Sequence, residues 1–153
     1  MKTTLWLRIS SGITLLLATG HTLGGLKYWS PMGSNPVLQA MKTVHFDMMG
    51  VSRSYLDFYM GFGYSITATQ VMLAILLWQL ATLARTDAVS VRPMIAVITL
   101  AVAACGIIAW RFILPVPALF CLVQIASLAV AYVVGRSEPG ASKPALGSTG
   151  ISS

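Results

Sequence analysis

The side chains in this sequence that can bind, pair or move protons gather at a few positions. His21, His45, Asp47, Arg53, Asp57, Tyr59, Tyr64 and Arg111 all fall near the ends of long apolar stretches, although they are scattered through the chain. A histidine beside carboxylates and tyrosines can act as acid, base or hydrogen-bonding anchor. No serine or cysteine nucleophile is paired with His21 and no second carboxylate stands beside it, so catalysis is not expected, and an intramembrane enzyme using His21 ranks last among the readings. His45-Phe46-Asp47 has neither the i, i+4 spacing nor the third ligand that a zinc or haem site needs, so neither a metal nor a cofactor is expected. Cys105 and Cys121 lack paired-cysteine metal or redox spacing, and their depths along successive helices differ by about 7 Å, which disfavours a disulfide. Gly61-Phe62-Gly63 is followed by no phosphate-cradling strand and helix and reads as a packing or flexibility feature.

The elements that must position these residues are four apolar stretches, Leu5–Gly25, Tyr55–Ala84, Pro93–Leu114 and Val116–Val134, which make up more than half of the chain. A hydrocarbon core of about 30 Å needs roughly 20 apolar residues in a helix. The runs do not alternate apolar and polar as barrel strands would, so all four are predicted to be membrane-spanning helices. Lys2, the run Ile9–Leu17 and Ala18-Thr19-Gly20 also resemble a signal peptide, whose cleavage would leave three spans. Arg8 interrupts that pattern, and the polar residues of the segment fit a packing face better.

Acidic residues number only four, so the net charge of +6 reflects scarce acids more than a basic patch. The ten Lys and Arg are scattered around the span ends, which does not fit a nucleic-acid footprint. Lys2, Arg8, Arg85, Arg92, Arg136 and Lys143 share one side, against Lys27, Lys42, Arg53 and Arg111 on the other. That excess puts both termini in the cytoplasm, in a plasma (inner) membrane.

The expected fold class is all-α, an antiparallel four-helix transmembrane bundle over residues 1–135, followed by a disordered cytoplasmic tail over 136–153 rich in Gly, Ser, Pro and Ala. Pro115-Val116-Pro117 forms a tight turn between the third and fourth spans, and Arg85–Arg92 a short polar one. In the long outer segment Leu26–Ser54, Val37–Met49 reads as a short amphipathic helix with Leu38, Met41, Val44, Met48 and Met49 on its apolar face. Each span carries a stripe of small or polar residues suited to helix packing. These are Ser11, Thr14, Ala18, His21 and Gly25; Asp57, Gly61, Ser65 and Ala68; Ala96, Thr99, Ala103, Gly106 and Trp110; and Cys121, Gln124, Ser127 and Ala131. Ser54-x-x-Asp57 at a helix start approximates a capping box. Arg111, near the membrane boundary, is expected to pair with Asp57 or Asp47 or to snorkel beside Trp110.

Two stretches resemble a known group. Gly20-His21-Thr22-Leu23-Gly24-Gly25, and the run from Phe46 through Asp47, Gly50, Arg53, Asp57 and Gly61 to Gly63, look like a group of small bacterial four-span membrane proteins with no established activity. The resemblance covers about the first 85 residues and implies the four-helix fold. A looser likeness to DoxX-like four-helix proteins rests on hydropathy and size alone. The functional expectation is an outer-leaflet pocket for a lipid-like ligand, with His21, Asp57, Tyr59, Tyr64 and Arg111 orienting its head group. The alternative is a non-catalytic accessory subunit whose stripes bind a membrane-protein partner or a second copy.

Overall fold

The structure, a computed structural model, describes residues 2–137. In chain order the elements are α1 (Lys2–Gly25), α2 (Pro36–Thr43), β1 (His45–Met48), β2 (Val51–Ser54), α3 (Tyr55–Leu83), α4 (Arg92–Phe112) and α5 (Pro115–Val134). Residues 138–153 of the expected tail lie outside the described residues.

Three helices, α3, α4 and α5, are long and apolar enough to cross a membrane. α1 has sufficient length at 24 residues, but its Ser, Thr and Gly content makes it less apolar. Its polar groups turn inward. Thr3, Thr4, Ser10, Ser11 and Thr14 are buried, whereas Leu5, Ile9, Leu15, Leu16 and Leu23 are exposed. That inversion of the aqueous pattern suits a helix surrounded by lipid, where polar groups satisfy one another inside.

α1 packs along both α3 and α5, and α4 packs chiefly along α5. Partners on α1 and α3 run in opposite directions: the Ser11 hydroxyl donates to the Ala74 carbonyl at 2.7 Å, and Thr22 donates to Thr67 at 3.3 Å. Between α1 and α5 a seam of hydroxyls and one amide runs beside the apolar contacts. Gln124 Nε2 donates to Thr14 Oγ1 at 2.7 Å, Thr14 donates to the Ser10 carbonyl at 2.9 Å, Ser10 donates to Ser127 at 2.9 Å and Ser127 to the Trp6 carbonyl at 3.1 Å. The stripes read for α1 and α5 are therefore packing faces. The apolar core lies toward the end that carries Lys2, where Leu7, Leu77, Leu80, Val91, Ile95 and Leu128 draw all four long helices together. Beside it α3 and α4 leave an open apolar groove between them, lined by Leu76, Leu80, Met94 and Val97.

Two expectations need correction. Asp57, Gly61, Ser65 and Ala68 are exposed, and the buried face of α3 runs instead through Leu56, Gly63, Ala74, Leu77, Leu80 and Ala81. On α4, Trp110 is also exposed, and burial falls on Ile95, Val102 and Ala109. The segment 37–49 is not one helix. α2 ends at Thr43, and His45–Ser54 forms an antiparallel hairpin in which Phe46 faces Arg53 and Met48 faces Val51. Its two-residue turn holds Met49 at φ 53° and Gly50 at φ 78°, the left-handed pair whose twist matches a hairpin.

Candidate functional site

The hairpin end of the molecule is organised by Trp29. After α1, Tyr28 and Trp29 adopt φ of 56° and 46°, left-handed conformations that cost a non-glycine residue about 1–2 kcal/mol each. The resulting reversal folds the indole back onto the helix it has just left, where Trp29 Nε1 donates to the His21 carbonyl at 2.8 Å. The Trp29 backbone N–H closes the same turn by donating to the Gly24 carbonyl at 3.0 Å. Glycines receive the ring: a Cβ on Gly25 would lie 2.7 Å from it, and one on Gly63 would overlap it.

Three of the five expected ligand residues surround this indole. The His21 ring lies 5.0 Å from it, Tyr64 meets it edge-on at 5.4 Å and Tyr59 at 6.1 Å. His21 Nε2 donates to the Gly63 carbonyl at 3.0 Å, which ties the ends of α1 and α3 together. Sequence reasoning missed Trp29. The available signal was a tryptophan four residues after Gly24-Gly25 in a chain that places another glycine, Gly63, at the facing helix end.

Asp57 and Arg111 lie elsewhere. Asp57 Oδ2 accepts from the Ser54 backbone N–H at 2.9 Å and from the Ser54 hydroxyl at 2.8 Å, while Ser54 Oγ accepts from the Asp57 N–H at 3.0 Å. This is the expected capping box, and it starts α3 directly after the hairpin. Arg111 stands exposed at the end of α4, its guanidinium 5.4 Å from the Phe112 ring. The expected ion pair with Asp57 or Asp47 does not form.

A second feature lies on the side of α3 turned away from Trp29. Gly61 and Gly63 are two residues apart and so point about 200° apart around the helix. A Cβ on Gly61 would meet nothing within 4 Å. Asp57, Gly61 and Ser65 form the low floor of an open groove of about 310 Å³, with Phe58 and Phe62 as its wall and Arg53 at its mouth. The wall continues upward: Phe62 packs edge-on against Phe58 at 4.8 Å, and Phe58 against Phe46 of the hairpin at 5.8 Å. Phe46 is the cross-strand neighbour of Arg53, so both side chains lie on one face of the hairpin.

No protein-family model, curated protein or solved structure matches this chain. Functional inference therefore rests on the two arrangements just described. One is closed around Trp29 and the other is open along α3.

Proposed function

We propose that this is a non-catalytic four-span membrane protein, with α1 as the fourth span, both termini in the cytoplasm of a bacterial inner membrane, and a site for a lipid-like ligand at its outer end. The observation that carries the reading is the groove on α3. It joins Arg53 and Asp57 at the hairpin end to a phenylalanine wall along a helix apolar enough to cross a membrane. A ligand with a polar head and an apolar body matches that sequence of surfaces. Of the residues expected from sequence, Asp57 belongs to this site. His21, Tyr59 and Tyr64 support the Trp29 packing instead, and Arg111 lines neither arrangement. Counting α1 as the fourth span follows from the resemblance to small four-span bacterial proteins and from its length of 24 residues.

Gly61 supplies the test, because nothing in the fold needs it to lack a side chain. Gly61→Leu should fill the groove floor, leave thermal unfolding in detergent unchanged and remove a copurifying lipid measured by extraction and mass spectrometry. Unchanged lipid content in a folded Gly61→Leu protein would overturn the reading.

A second reading, an accessory subunit binding a membrane-protein partner or another copy, is favoured by one observation. The space beside His21 is occupied by the protein's own Trp29, so no ligand cavity opens between α1 and α3 there.

A further inference from the structure

Arg53 and Asp57 share the groove without pairing with each other. Arg53 Nη1 donates to the neighbouring Ser52 carbonyl at 3.0 Å, and its other guanidinium N–H groups have no partner among the described residues. Asp57 receives both Ser54 bonds on one oxygen, Oδ2, and Oδ1 accepts none among the described residues. A cation and an anion, each with unused hydrogen-bonding capacity, thus stand at the top of a wall made by Phe58 and Phe62. That is the complement of a zwitterion attached to hydrocarbon.

Building on the lipid-binding reading above, we propose that the groove selects a zwitterionic phospholipid whose head group ends in a primary ammonium. The phosphate binds Arg53, the ammonium binds Asp57, and an acyl chain follows Phe58 and Phe62 over Gly61 and Ser65. The planar guanidinium fork matches phosphate oxygens, and a free carboxylate oxygen accepts an ammonium N–H. A quaternary ammonium has no N–H to give, so a choline lipid offers Asp57 charge without a hydrogen bond. A glycerol head group offers no cation at all and sets a net negative lipid beside Asp57.

Native mass spectrometry of the full-length protein, titrated in detergent with equimolar dioleoyl phosphatidylethanolamine, phosphatidylcholine and phosphatidylglycerol, tests this assignment. Ethanolamine-lipid adducts should exceed either of the others by about tenfold, the factor that one charge-assisted hydrogen bond contributes. Asp57→Asn keeps an acceptor toward Ser54 and should bring ethanolamine lipid down to the choline-lipid level. Arg53→Gln, on the exposed hairpin, should weaken all three lipids together. Equal binding of the three lipids, or an ethanolamine preference that survives Asp57→Asn, overturns the head-group assignment while lipid binding stands. If Asp57→Asn does not fold, undiminished ethanolamine-lipid binding by Arg53→Gln overturns it. If Gly61→Leu removes no adduct of any lipid, the lipid-binding reading itself fails.

Discussion

Gly61 and Gly63 show how differently one residue type serves two faces of a helix. Gly63 receives the Trp29 indole, so Gly63→Ala forces the ring out of its seat and should destabilise the protein by about 1–3 kcal/mol, the usual cost of overpacking. Gly61→Ala meets open space and should leave stability unchanged or raise it by up to about 1 kcal/mol through helix propensity. Reversible unfolding of both variants in the same detergent checks the pair, and equal destabilisation would show that Trp29 does not occupy the α1–α3 junction. The ends of the apolar stretches and their alternating direction already brought His21, Tyr59 and Tyr64 to the same end of the molecule. They did not reveal Trp29, because its position depends on two consecutive left-handed residues, Tyr28 and Trp29, that carry no glycine to announce them. Arg111 was misplaced for a related reason: a shared depth in the membrane says nothing about distance around the bundle.

Among the elements, the hairpin was the least legible. Leu38, Met41, Val44, Met48 and Met49 do recur at helical spacing, yet only Leu38 and Met41 lie on α2: Val44 caps its end, Met48 closes β1 and Met49 enters the left-handed turn with Gly50. The outcome is a tip whose methionines are turned outward, with Met48 64 % and Met49 96 % exposed, on an element fastened to α3 through Phe46. Apolar side chains at such a tip are at rest in the interfacial layer of a bilayer and costly in water. A nitroxide on Met49→Cys, in protein with Cys105 and Cys121 replaced by alanine and reconstituted in vesicles, should be relaxed more by oxygen than by a water-soluble nickel chelate. The reverse order would place the tip in water. The stripe on α3 failed for another physical reason. Asp57, Gly61 and Ser65 satisfy the same spacing as a packing face, and a groove floor open to the surroundings has that same signature.

At the scale of the whole molecule, hydropathy anticipated the long helices and their order. It did not anticipate that α1 would pack along both α3 and α5 while α4 packs chiefly along α5. Arrangement depends on which polar groups find partners, and those pairings cross the entire sequence. The topology has its own test: a cysteine placed at Ser34 should react with an impermeant maleimide added outside intact cells, and labelling solely after access to the cytoplasmic side would invert the proposed orientation.

The hydroxyl seam also bears on how the protein is made. Under the proposed topology α1 is made before the other long helices described and is the least lipid-soluble of them, yet the acceptor for Ser10 and the amide that donates to Thr14 lie 117 and 110 residues later in the chain. Until Gln124 and Ser127 are synthesised, the side of α1 turned away from α3 has those side-chain bonds unmade. The face of α1 that meets α5 is therefore completed only once α5 has joined the membrane, long after the face that meets α3.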